Sequence, residues 1–173
     1  VGVGADGLLF APWLAGERSP YPDDTLRGSF LNLRIDHTRD HLLRAVGEGV
    51  AHNFTIMLNE IETAFGASIP SLRVVGGGAL YQSWMQVFAD VMGKTIEVVH
   101  NPEFAGTVGA ALMVAVGLGM HSSVKEAAKT VNFDHVHHPI PENQVVYKKH
   151  HQAYQQIYPA LSGLYHQWNS TAN

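Results

Sequence analysis

Three consecutive glycines, Gly76, Gly77 and Gly78, stand in the stretch RVVGGGALYQSW between a β-branched apolar run and a segment with apolar residues at helical spacing. At the carboxyl end of a parallel strand such a turn lets main chain lie against a phosphate, while the next helix aims its N–H groups at the anion. The same turn also serves strand-to-helix packing, because glycine reaches positive φ without strain. The turn alone leaves both readings open. A P-loop needs Lys and Ser/Thr after its last glycine, and Ala79 and Leu80 stand there instead. A dinucleotide fingerprint needs a third glycine where Tyr81 stands, and Glu97 falls within a strand pattern rather than at its end.

The other chemistry-bearing residues read as structural. Eleven histidines include HVHH at 135–138 and the pair His150 and His151. H-x-H on an extended strand puts both rings on one face, yet zinc takes three or four ligands, and no H-E-x-x-H spacing occurs. Surface histidines are the better account, and no metal site is expected. Asp6, Asp23, Asp24, Asp36 and Asp40 sit among glycine, proline and polar residues, which is ordinary turn chemistry. Glu17 and Arg18 read as a solvated pair in a loop, and Glu48 as a structural acid inside a helix.

The elements that must position the turn follow from periodicity. Leu8 to Trp13 forms a short buried strand, and residues 15–32 a long loop. Leu43, Val46, Val50, Phe54, Met57, Leu58, Ile61 and Phe65 recur at threes and fours between a cap at Asp36 or Thr38 and a stop at Gly66. Leu72 to Val75 reads as a strand buried on both faces. Trp84, Val87, Phe88 and Val91 follow as a helix ending at Gly93. A second strand, Thr95 to Val99, leads past Asn101 and Pro102 into a small apolar helix over 106–118, packed closely on a sheet. Ser123 and Glu126 resemble a capping box. After the extended FDHVHHPIP, Pro141 starts a helical tail whose Tyr147, Tyr154, Ile157, Tyr158, Leu161, Tyr165 and Trp168 share one side, with Pro159 kinking or splitting it. Strands alternating with helices argue a parallel α/β architecture.

Composition narrows the partners. With 173 residues, 46% of them apolar and 15% charged, the chain can bury a sizeable core. A net charge of -4 without basic clusters disfavours nucleic acid and anionic membrane surfaces. No run approaches the roughly 20 apolar residues of a membrane span. The absence of cysteine fits a cytoplasmic location. A start at Val1 with no signal-peptide pattern reads as a piece of a longer chain.

Four collinear blocks carry a resemblance. VVGGGALYQSWMQVFADVMGKTIEV is similar to the adenosine motif of the FGGY carbohydrate kinases, in which an apolar strand, GGG[AS], W-x-Q and ADV-x-G follow in order. GADGLLFAPWLAGERSP, RGSFLNLRIDHTRDHLLRAVGEGVA and AGTVGAALMVAVGLG resemble that family's GER loop, second signature and last helix. Asn32 and Gly47 depart from the family's usual Gly and apolar residue. The resemblance implies a ribonuclease-H-like α/β domain of the actin, hexokinase and Hsp70 type, lacking its first β-hairpin. The chain would then be one partial domain, the nucleotide-side half of a two-domain kinase. Its parts are a strand and cleft loop (1–35), an α/β core (36–119) and a helical tail (120–173).

The resemblance further implies ATP with Mg²⁺ carried on the nucleotide, and a sugar as acceptor. D-xylulose comes first, with gluconate or another pentulose or polyol as alternatives. Gly77, Gly78 and Ala79 would pass against the adenosine and α-phosphate, Gly76 would free the turn, and Gln82 would contact the adenine or ribose. The aspartate base, the sugar pocket and the hairpin for the terminal phosphates belong to the family's preceding half, so no catalytic residue is expected here. The sheet edge that the absent hairpin would expose invites a homodimer. Two other classes stay open: a dinucleotide-binding oxidoreductase domain and a non-catalytic actin-like module.

Overall fold

The computed structural model describes residues 1–170; the last three residues of the expected helical tail lie outside the described residues. The chain runs β1 (Leu9–Ala11), β2 (Ser29–Leu31), α1 (Arg39–Phe65), β3 (Ser71–Val74), α2 (Gln82–Met92), β4 (Thr95–Val99), α3 (Ala105–Gly117), α4 (Val124–Ala128), β5 (Phe133–His137), α5 (Pro141–Tyr154) and α6 (Ile157–Asn169). β1 pairs antiparallel with β2, with Phe10 opposite Phe30. The expected long loop therefore ends in a strand. In the second sheet β4 is central. β3 runs parallel to it with Leu72 opposite Ile96, and β5 runs antiparallel with Ile96 opposite His137. The sheet is thus mixed rather than wholly parallel, because FDHVH, which sequence showed only as extended, returns along β4.

α1 starts after Thr38 and stops at Gly66, whose φ of 64° and backbone hydrogen bonds close the last turn as expected. Its buried face takes in only part of its apolar stripe: Leu58 is buried, and Val46 and Val50 pack against the core. Ala45, Glu48, Ala51, His52 and Thr55 face inward, while Leu43, Phe54, Ile61 and Phe65 stay exposed. Small residues are needed on the inner side because β1 comes so close: a Cβ on Gly49 would lie 2.0 Å from the Phe10 carbonyl oxygen. One core joins α2 (Met85, Phe88, Ala89, Met92), β4 (Ile96, Val98), Leu58 of α1 and Tyr147 of α5. A second gathers Trp13, Leu26, Ile56, Tyr154, Ile157 and Tyr165, which docks the tail on the β1 side. Ser29 of β2 is hydrogen-bonded to Tyr165 of α6.

Three expectations are corrected. β3 is an edge strand with no fully buried residue, and Val75 is exposed, so it is not buried on both faces. α3 also has no buried residue, with Met113 and Val114 open, so it does not pack closely on the sheet; among the described residues its main neighbour is the short α4. The tail breaks at Gln155 and Gln156, ahead of Pro159, which sits in the first turn of α6 where its missing N–H is harmless. Trp168 is exposed, unlike the rest of its stripe. Ser123 does cap α4, its hydroxyl accepting the Glu126 N–H at 3.2 Å.

The histidines are not all at the surface either. His135 and His138 are exposed, but His52 is fully buried, and His137, His150 and His151 are half-buried. Among the described residues no group of three or more His, Cys, Asp or Glu side chains is placed to hold a metal ion, and no helix is long and apolar enough to cross a membrane.

Candidate functional site

The parallel pair β3 and β4 sends two loops off the same end of the sheet. At the first, Gly76 takes φ 93° and ψ 168°, a conformation open to glycine, and its N–H donates to the Pro102 carbonyl of the second loop at 2.7 Å. Gly77–Leu80 then make one 3-10 turn, closed by Ala79 N–H to Gly76 O at 3.0 Å, and α2 begins at Gln82. The second loop passes through Asn101, whose φ of 47° is left-handed, and leads into α3.

The three glycines differ in what they face. A Cβ on Gly76 or Gly77 would meet no atom within 4 Å, so both present bare main chain to open space. A Cβ on Gly78 would lie 3.0 Å from the Trp84 ring, so this glycine makes room for an indole behind the turn. Ala79 is buried, its methyl in the core. Among the described residues no acceptor faces the Gly77 or Gly78 N–H. Two free donors on a turn with an open face are what an anionic ligand would use.

Trp84 is held in place from the other side. Its Nε1–H donates to the Gly47 carbonyl at 3.3 Å, and a Cβ on Gly47 would come within 3.1 Å of the indole. Glycine at the position where it departs from the usual apolar residue thus seats the tryptophan that supports the turn. Sequence showed Trp84 in a helical stripe and in the W-x-Q of the adenosine motif, with no sign of this contact.

Gln82 does lie beside the turn, and its amide is already engaged: Oε1 is 2.7 Å from His137 Nε2. Nothing in HVHH signalled that role. Several other candidates are occupied elsewhere. Asp6 meets His41 at 3.1 Å, and Asp23 binds Thr25 and His166. Arg34 beside Asp36 lowers its carboxyl to about 2. Glu17 is not a solvated partner of Arg18: one oxygen accepts the Arg18 and Ser19 N–H groups, and the other takes Asn53 Nδ2–H at 2.8 Å. Asn53 Oδ1 accepts from Trp13 at 3.1 Å, so a single buried amide on α1 fastens the GER loop.

Beneath the turn, on the open side of β3, lies an apolar groove of about 430 Å³ bordered by Val50, Phe54, Leu72, Val74, Trp84 and Phe88. Its lining is apolar apart from Arg73, which is paired with Glu97 at 3.4 Å, and it is a face of the core that no described element covers.

An open glycine turn beyond a parallel strand, with a helix starting behind it, is the build of a nucleotide-facing α/β domain. The chain belongs to the FGGY family of carbohydrate kinases, residues 1–118 matching that family's C-terminal domain. It is 34% identical over 157 residues to the xylulose kinase of Staphylococcus epidermidis, an alignment covering 90% of this chain and 31% of that protein. The crystal structure of ligand-bound xylulose kinase from Lactobacillus acidophilus superposes with a TM-score of 0.85 at 26% identity, covering 97% of this chain and 34% of that one. The gluconate kinase structure from the same organism gives 0.84 at 25% identity, with the same coverage. The chain thus spans about a third of the length of the relatives it matches. The fold is the expected actin and hexokinase type, and family membership removes the oxidoreductase alternative.

Proposed function

We propose that this chain is the nucleotide-side half of an ATP-dependent sugar kinase, with D-xylulose as acceptor and gluconate or a related pentulose or polyol as the alternative. The observation that carries it is the turn: Gly76 and Gly77 face open space at the end of β3, and the Gly77 and Gly78 N–H groups have no acceptor among the described residues, in a chain of this family. Bare main chain there can approach a nucleotide as no side-chain-bearing turn could. The names of the relatives support the sugar class. In such a reaction the nucleotide's phosphates carry Mg²⁺, and transfer is in-line to a sugar hydroxyl deprotonated by an aspartate. We assign that base and the sugar pocket to sequence beyond these 173 residues, and the protein to the cytoplasm, where ATP is spent. The 173 residues alone are then expected to bind ADP without phosphorylating xylulose.

Gly77→Val tests the nucleotide site cleanly. Gly77 has an ordinary negative φ region and open space around its Cβ, so valine should leave folding intact while filling the approach path. Calorimetric titration should show ADP affinity falling at least about tenfold, equivalent to about 1.4 kcal/mol. Unchanged affinity would remove the turn from the site. Gly78→Val acts differently, by pushing on Trp84.

The open edge of β3 supports one further reading, self-association of two copies along that edge. Sedimentation equilibrium at micromolar concentration should then show dimer, and a monomer at all concentrations would reject it.

A further inference from the structure

His137 does more than fill the gap between β5 and α2. Its ring touches two amides of α2: Nε2 lies 2.7 Å from Gln82 Oε1, and Nδ1 lies 3.3 Å from Gln86 Oε1. The Gln86 amide cannot turn around. Its Nε2 faces the Asp90 carboxylate at 2.9 Å and the His138 carbonyl at 2.8 Å, and a carbonyl oxygen only accepts. Asp90 is itself pinned, taking the Ile140 N–H at 2.8 Å and Asn143 Nδ2–H at 2.7 Å. Gln86 Oε1 must therefore point at His137, and only a protonated Nδ1 can bond to it.

A neutral imidazole has one N–H. With that proton on Nδ1, Nε2 is a lone pair, and the Gln82 amide can bond it only by presenting its NH₂. The Gln82 carbonyl oxygen is then left for a ligand. The orientation with Oε1 toward Nε2, as the structure has it, needs a proton on Nε2, carried by the doubly protonated ring or by the Nε2–H tautomer, and leaves the NH₂ outward instead. Each state of His137 thus dictates one face of Gln82, the residue that opens α2 just beyond the glycine turn.

We propose that His137 is a positioning residue of the nucleotide site: with its proton held on Nδ1 by Gln86, it turns the Gln82 carbonyl toward the purine and so selects a 6-amino over a 6-oxo base. The 6-amino group of adenine donates to that oxygen, whereas the 6-oxo group of guanine would meet it acceptor to acceptor. This rests on the reading that Gln82 meets the base. Burial of the ring, with His135 on the same strand, holds the His137 pKa below its ordinary value, which favours the neutral form at pH 7.5. The other titratable groups nearby are His138 on its own segment, Asp90 behind Gln86, and Glu97 on β4, which is paired with Arg73 at 3.4 Å.

The test begins with ¹⁵N NMR of the labelled 173-residue chain at pH 7.5, without nucleotide. His137 should show the Nδ1–H tautomer, and an Nε2–H tautomer overturns the proposal. Titrations with ADP and GDP then read selection. The parent chain should prefer ADP by about tenfold, and both His137→Phe and Gln86→Leu should bring the ratio within about twofold. Gln86→Leu leaves Gln82 and the glycine turn untouched, so it guards against a His137 variant that misfolds. An unchanged ratio in folded variants rejects this proposal alone. Binding of neither nucleotide to the parent rejects the nucleotide reading, and this proposal with it.

Discussion

Glu48→Ala will cost the chain about 3–5 kcal/mol of its stability. The carboxylate is 2% exposed, and one oxygen, Oε1, gathers three donors: Gly4 N–H at 2.9 Å, Arg44 Nε at 2.6 Å and the Tyr147 hydroxyl at 2.7 Å. Arg44 also reaches the Tyr147 hydroxyl at 2.6 Å, so the N-terminal segment, α1 and α5 meet at one acid. Burial, then the charge of Glu48, pushes the Tyr147 hydroxyl's pKa up, which keeps it a donor. Alanine would strand a half-buried guanidinium, a tyrosine hydroxyl and a backbone N–H together, and breaking such a buried pair costs about 3–5 kcal/mol. Domains of this size hold only about 5–15 kcal/mol in all. Glu48→Gln keeps the acceptor and should lose about half as much. Urea unfolding followed by circular dichroism decides it: an alanine variant within about 1 kcal/mol of the parent would show that the cluster carries no net stability.

Acid will loosen the same interface. His52 on α1 is fully buried, with Nδ1 3.3 Å from His151 Nδ1 on α5. One proton can serve that contact; two repel. Burial, then His151 and His150, pushes the His52 pKa down to about 3, and burial also lowers those of His150 and His151. The unfolded ring takes its proton near 6.5, the folded one only near 3, so the unfolded chain binds more protons throughout that interval. Stability is therefore whole above pH 6.5 and declines as the pH falls toward 3. His52 alone accounts for about 2 kcal/mol by pH 5. With a slope of about 2 kcal/mol per molar urea, the midpoint should drop by about 1 M between pH 7.5 and pH 5. His52→Leu should remove at least half of that drop. Equal midpoints at the two pH values in the parent would refute the assignment, as would an undiminished drop in the variant.

The two positions show where sequence reading stops. Glu48 and His52 lie one helical turn apart in a pattern whose loudest signal was Leu43, Val50, Phe54 and Ile61, yet the quiet face is the buried one. Periodicity reports how apolar a face is, not which neighbour it meets. Here the close neighbour is β1, whose backbone at Phe10 admits only Gly49, while Val50 and Phe54 on the other face border the uncovered groove. The same limit explains α3, whose composition predicted close packing and whose residues are all at least partly open. Apolar composition creates a demand for a partner without supplying one.

Local rules were legible wherever a single segment satisfies them. Thr38 and Gly66 bound α1, Gly93 with φ 65° ends α2, Ser123 caps α4, and GGGA follows a strand and precedes a helix, because caps and turns are set by residues within a few positions of each other. From such blocks the order of most elements, β2 and β5 excepted, and the family and the place of the glycine turn could be read directly. The tertiary structure alone decided which glycines face space and which face Trp84, that β5 returns antiparallel, that Asn53 fastens the GER loop, and that His137 holds Gln82. The last two join residues 36 and 55 positions apart, where no local rule operates and only the packed geometry chooses the partner.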